Sequence, residues 1–113
     1  MTKSIQRGGL ALAAALLLAM PLVAQATNKH VSEAIEHAKE AAEHGKKGHA
    51  DAAVKHAEGA LKHAEAAQKE MKNPHLDEGV KQLKEAIEHG KAGHADIAAE
   101  HAEGAVTHLS EVK

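Results

Sequence analysis

Apolar residues recur at steps of three and four along almost the whole chain after residue 28. Val31, Ala34, Ile35, Ala38, Ala41 and Ala42 fall on one side of a helix. Ala50, Ala53, Val54, Ala57, Ala60, Leu61 and Ala64 repeat the pattern. Leu76, Val80, Leu83, Ala86 and Ile87 form a third stripe, and Ala95, Ala98, Ala102, Ala105, Val106 and Leu109 a fourth. Between the stripes, Gly45-Lys46-Lys47-Gly48 and Gly90-Lys91-Ala92-Gly93 read as glycine-bounded turns. Asn73-Pro74 reads as a helix cap followed by proline at the first helical position. The pattern predicts four helices, at about 29–44, 49–72, 74–89 and 94–112.

The chain also repeats itself. Sliding residues 28–68 onto 73–113 matches about half of the positions. Asn28 falls on Asn73, His44-Gly45 on His89-Gly90, Gly48-His49-Ala50-Asp51 on Gly93-His94-Ala95-Asp96, and HAEGA at 56–60 on HAEGA at 101–105. Each unit is one helical hairpin whose apolar face has no partner of its own. Two such hairpins packed face to face give the expected fold, an all-α antiparallel four-helix bundle.

Residues 1–26 carry a different pattern. Lys3 and Arg7 precede an apolar run, LALAAALLLAMPLVA, and Ala24-Gln25-Ala26 offers a small-x-small cleavage site. The run is shorter than the roughly 20 apolar residues that span a bilayer. The expectation is a cleaved export signal over 1–26, with 27–113 as the mature histidine-rich domain in the periplasm. Cleavage would leave a protein without a membrane segment, expected to be a monomer. The absence of cysteine excludes a disulfide framework and lipidation at the cut site.

Composition sharpens the picture. The chain has no Phe, Tyr or Trp, so its core is limited to small and aliphatic side chains, and a domain of this size is marginal without further help. Removing Lys3 and Arg7 from the 14 basic residues leaves 12 against 16 acidic ones, a net charge of −4; protonating all 11 histidines would bring it to +7. Charge therefore depends on the titration of imidazole. With no fixed basic patch and no aromatic ring to stack on bases, nucleic acid is not an expected partner.

The histidines are ordered. His30, His37 and His44 step by seven along the first helix, and His49, His56 and His63 along the second. His75 and His89 flank Gln82 in the third, and His94, His101 and His108 occupy the fourth. A step of seven returns to nearly the same side of a helix, so the rings line the edge of the apolar stripe. It also means about 10.5 Å of rise, too far for two rings on one helix to share an ion with bonds of about 2 Å. Across an antiparallel hairpin, residues equidistant from the turn lie opposite one another. That rule pairs His44 with His49, His37 with His56 and His30 with His63. In the second hairpin it pairs His89 with His94, His75 with His108, and His101 with Gln82.

Carboxylates share these helices. Glu33 and Glu40 alternate with His30, His37 and His44 at steps of three and four, and Glu78 and Glu85 do so with His75, Gln82 and His89, a spacing that makes side chains neighbours. These four glutamates are candidate supplementary ligands, although Glu–Lys pairs such as Glu58–Lys62 also show ordinary salt-paired faces. Ala52 and Gly59 on the facing flank leave room beside the rings. Imidazole with carboxylate suits Cu(II), Ni(II) and Zn(II), with affinity generally greatest for Cu(II). The lone mature methionine, Met71, and the lack of cysteine argue against a dedicated Cu(I) site. Several exchangeable sites per chain have the chemistry of a buffer.

Other classes fit less well. No histidine follows a glutamate by three residues, as di-metal bundle enzymes require, and His-Glu-x-x-His is absent, so no enzyme is expected. The alternative is a non-catalytic helical interaction or membrane-surface module whose histidines sense pH. Cleavage one residue later would also expose Asn28-Lys29-His30, a terminal tripeptide able to chelate Cu(II).

HAKEAAEHGKKGHAD, HAEGALKHA and EAIEHGKAGHAD together resemble the small metal-binding protein family (SmbP), over residues 28–113. The resemblance implies a periplasmic four-helix bundle that binds several divalent metals, copper above all, for copper handling and tolerance. It points to the 11 histidines as ligands. Gln82 departs from the pattern, so the middle rung of the second hairpin is expected to be weak or absent.

Overall fold

The structure, a computed structural model, describes residues 28–113. The expected export signal over 1–26, and the mature start at Thr27, lie outside them. Four helices follow one another: α1 (Lys29–Lys46), α2 (Ala50–Glu70), α3 (Pro74–Lys91) and α4 (Ala95–Ser110), with no strand among the described residues. α1 packs on α2 and α4, α3 packs on α4 and α2, and α2 touches α4 across the diagonal. This is the antiparallel four-helix bundle of two hairpins that the repeat predicts.

The helix ends have local causes. Asn28 and Asn73 cap α1 and α3, each side-chain oxygen accepting from two backbone N–H groups, His30 and Val31 in one case, His75 and Leu76 in the other. α1 and α3 run two residues beyond the expected ends, through Gly45-Lys46 and Gly90-Lys91. The second glycine of each turn, not the first, carries the left-handed backbone, with φ 82° at Gly48 and 87° at Gly93. The Gly48 N–H donates to the Gly45 carbonyl (3.0 Å) and the His49 N–H to the His44 carbonyl (2.9 Å), which closes the helix in a Schellman motif. The Gly93 and His94 N–H groups do the same toward Gly90 and His89. α2 stops at Glu70 and α4 at Ser110, two residues short of the expected ends. Met71 is already extended, and so is Asn73, which Pro74 steers away from helix.

Every stripe predicted from the sequence faces inward, and the resulting core is thin. Leu76, Leu83, Leu109 and Val31 are its largest fully buried side chains, and among the described residues no polar residue is buried. Toward the ends away from the glycine turns, Val31, Leu76, Leu83 and Leu109 pack with alanines of α1, α2 and α4. Toward the turns, Ala41, Ala42, Ala57, Ala86, Ile87 and Ala102 pack almost alone, and the helices come close. A Cβ on Gly45 would stand 2.7 Å from the Ala95 carbonyl oxygen and 2.9 Å from Ala99 Cβ. Lys46 pairs with Glu103 across α1 and α4, and Lys91 Nζ lies 3.8 Å from Glu58 Oε2 across α3 and α2. These are repeat-related pairs, so the two hairpins clasp each other in the same way. No described helix is long and apolar enough to cross a membrane.

Candidate metal centre

The histidines sit one residue before buried positions such as Val31, Ala38, Ala57, Ala64, Ala102 and Leu109, which sets them at the rim of the core. Nine are half-buried; His49 and His94, at the turns, are exposed. Because α1 faces α2 and α3 faces α4, the rings gather along two seams.

All five expected His–His pairs meet. Ring centroids are 5.6 Å apart for His30–His63, 6.1 Å for His37–His56 and for His44–His49, 5.7 Å for His75–His108 and 6.2 Å for His89–His94. With metal–nitrogen bonds of about 2 Å and ring nitrogens about 1 Å from the ring centre, two imidazoles sharing an ion have centroids about 4 to 6 Å apart. The end pairs His30–His63 and His75–His108 fall within that span, and the other three pairs stand at its upper edge, where a small turn of a ring closes the gap. At the outer ends the Nδ1 atoms face each other directly, 3.3 Å apart for His30 and His63 and 3.5 Å for His75 and His108. Where a hydrogen bond joins two such nitrogens, one donates and the other accepts, the tautomer deciding which.

The seams also contain contacts that the mirror rule does not foresee. Rings on α2 lie at heights between those on α1, so His56 stacks on His44 at 5.0 Å with 5° between planes, and His63 on His37 at 5.6 Å with 11°. In the second seam His101 stacks on His89 at 5.2 Å and 7°. The first seam is thus a continuous zigzag, and the second is broken where Gln82 replaces an imidazole.

Three of the four candidate glutamates reach a ring. Glu40 Oε1 lies 3.0 Å from His56 Nδ1 and 3.9 Å from His37 Nδ1, Glu33 Oε1 lies 3.2 Å from His63 Nε2, and Glu85 Oε1 lies 3.9 Å from His89 Nε2. Glu78 is exposed and forms no ion pair with a ring among the described residues. The carboxylate beside His75 is instead Glu111, with Oε1 3.3 Å from Nε2. Sequence reasoning missed it because Ala66 holds the matching place in the first repeat, so only the fold past the end of α4 brings it back.

Two groups are already assembled for coordination. The ligand atoms of His37, Glu40 and His56 all lie within 4.8 Å of one another, and so do those of Glu85, His89 and His101. The first group is built on a rung and the second on a stacked diagonal. Gln82 accounts for the difference: its Oε1 lies 2.8 Å from His101 Nδ1, and accepting that proton leaves Nε2 as the lone-pair nitrogen of His101. Glycines make the space. A Cβ on Gly59 would stand 3.3 Å from His37 Nδ1, and one on Gly104 3.1 Å from Gln82 Oε1. The glycine of each HAEGA segment therefore faces the middle ligand position of its seam.

Fit to a cation is supported by two orphaned atoms. His37 Nδ1 and His44 Nδ1 are buried with no hydrogen-bond partner, a costly state for a polar atom unless something else engages it. At the amino end, Asn28 is engaged in capping α1 through the His30 N–H, so a chelate on Asn28-Lys29-His30 would have to break that cap.

A small helical bundle with two interhelical seams of imidazole and carboxylate is a metal-binding protein in class. The sequence model of one family, described as small metal-binding protein, matches residues 2–112, and the chain belongs to that family. Among the curated proteins none matches.

Proposed function

We propose that the protein binds and buffers divalent transition metals in the periplasm, taking several ions per chain and serving metal homeostasis or tolerance. The observation that carries this reading is the gathering of imidazoles from adjacent helices with a carboxylate, as in His37, Glu40 and His56 and in Glu85, His89 and His101, whose ligand atoms lie within 4.8 Å of one another. Cu(II) is the preferred ion and Ni(II) and Zn(II) also bind, since mixed imidazole–carboxylate sites follow that order of softness and affinity. Export rests on the Lys3/Arg7, apolar-run and Ala-Gln-Ala pattern of residues 1–26.

Two imidazoles and a carboxylate leave coordination positions for water. Such sites exchange their ions readily and favour capacity over extreme affinity. No catalytic role is part of this reading, which rests on the lack of Glu-x-x-His and His-Glu-x-x-His in the sequence. An ion that bridges two helices binds the folded chain in preference to the unfolded one and so stabilises it by mass action. For a core this poor in large side chains, that contribution matters.

Calorimetric titration of the purified protein with Cu(II), Ni(II) and Zn(II) tests the reading. The expected result is more than one Cu(II) per chain, with the tightest binding for Cu(II). A stoichiometry of one or less, or uptake that survives replacement of the seam histidines by glutamine, contradicts it.

A further inference from the structure

Beside its rungs the first seam has two stacked diagonals, His44–His56 and His37–His63. We propose, resting on the metal-binding reading, that the α1–α2 seam is a transfer track along which an ion moves by exchanging one imidazole at a time, whereas the α3–α4 seam holds its ions in place.

The argument starts from the spacing of the glutamates. Glu40 is three residues after His37 and four before His44, so it neighbours both on α1, and its carboxylate reaches across to His56 at 3.0 Å. His56 in turn faces His37 at 6.1 Å and His44 at 5.0 Å. In this seam the ligand atoms of His37, Glu40 and His56 lie within 4.8 Å of one another; an ion held there exchanges His37 for His44 once the His44 ring turns toward it, and keeps His56 and Glu40 throughout. The two exchanging rings are the two whose Nδ1 atoms are buried and unpartnered.

A related unit lies one heptad along. Glu33 lies between His30 and His37 and reaches His63 at Nε2, 3.2 Å away, while His30 meets the same ring at Nδ1, so a turn of the His63 ring brings either partner to one ion; His63 faces His30 and His37 at 5.6 Å each. His37 belongs to both units. A neutral imidazole has one lone-pair nitrogen, so His37 can serve one ion at a time, and the ion it serves can continue in either direction. Rung and diagonal are mutually exclusive occupancies of one set of rings, which makes the seam a path rather than three fixed sites.

The second seam lacks the junction. Gln82 stands at the position of His37 and accepts from His101, and Glu78 is exposed. What remains is a group at Glu85, His89 and His101, with His94 facing His89 at 6.2 Å, and a separate end pair of His75 and His108 beside Glu111. No shared ring connects them.

The test is imidazole nitrogen–proton NMR of the intact protein with half an equivalent of Zn(II), read by exchange spectroscopy at two protein concentrations. In the unaltered protein, the zinc-bound and free signals of His30, His37, His44, His56 and His63 are expected to exchange as one network at a rate independent of protein concentration. His89 with His101, and His75 with His108, should form two unconnected sets. His37→Gln should cut the first network into two, and Gln82→His should join the two sets of the second seam. Gln82 shows that the fold accepts glutamine at this position, opposite a glycine. Fixed pairs with no exchange along the first seam, exchange that survives His37→Gln, or rates proportional to protein concentration would each overturn the track while leaving metal binding intact. Zinc that shifts no imidazole would remove the metal-binding reading itself, and the track with it.

Discussion

Gly59 sits in the middle of α2, where glycine costs about 0.5 to 1 kcal/mol relative to alanine. The chain tolerates that cost at a position that faces the His37 ring, and Gly59→Ala separates the two demands. The new Cβ would lie 3.3 Å from His37 Nδ1 and 3.5 Å from Cγ and Cε1, so the ring must yield by a few tenths of an ångström. It is half-buried at the rim and can turn outward. The metal-free protein should therefore gain most of the helix term, about 0.5 to 1 kcal/mol, or roughly 2 to 8 °C in Tm for a domain this small. The metal should lose by the same movement, because His37 is displaced from Glu40 and His56. A tenfold weaker site would remove about 1.4 kcal/mol of metal-induced stabilisation. Thermal unfolding by circular dichroism, once with chelator and once with excess Zn(II), reads both effects. Gly45→Ala is the contrast: its Cβ would meet backbone and Ala99 rather than a movable ring, and overpacking of about 1 to 3 kcal/mol should lower Tm. A Gly59→Ala protein that melts lower without metal, or keeps its full metal-induced shift, would refute the argument that this glycine serves the site.

The remaining expectations follow from particular contacts. Gln82→His should raise the number of ions per chain in a calorimetric titration, since Gly104 leaves the new ring the room that Gly59 leaves His37. Replacing His44 and His49 together by glutamine should remove one site and spare the others; loss of every site at once would argue against separable sites. Asn73→Ala removes an acceptor for two N–H groups and should cost about 1 kcal/mol of stability in denaturant unfolding without altering metal stoichiometry. Metal uptake should fall in acid, because only the neutral ring donates a lone pair; uptake that acid leaves unchanged would exclude the histidines as ligands.

Much of this arrangement is legible in the sequence because helix periodicity is one-dimensional. The stripe of Val31, Ala34, Ala38 and Ala41 gives α1 its buried face, and the offset between Asn28 and Asn73 gives the second hairpin. The mirror about Gly45–Gly48 orders the rungs by counting alone. What counting does not give is the relative height of rings on facing helices. His44 and His56 are not equidistant from the turn, yet they form the tightest stack, at 5.0 Å, because the side chains of α2 settle between those of α1. The helix ends were misplaced for a related reason: either glycine of the turn could have adopted the left-handed backbone, and the closing hydrogen bonds select Gly48 and Gly93. Glu111 escaped notice since it lies beyond α4 and has no counterpart in the first repeat. The role of Gly59 was visible only as small size, until the fold set it against His37.

The central claim is that cations lie between helices, gripped from both sides of a seam. Crystals grown with Zn(II), with diffraction recorded on either side of the zinc absorption edge, locate the ions without assumption about their ligands. The account predicts anomalous peaks between α1 and α2 near His37, Glu40 and His56, and between α3 and α4 near Glu85, His89 and His101. Peaks found only on carboxylates of single helices, with both seams vacant, would contradict it.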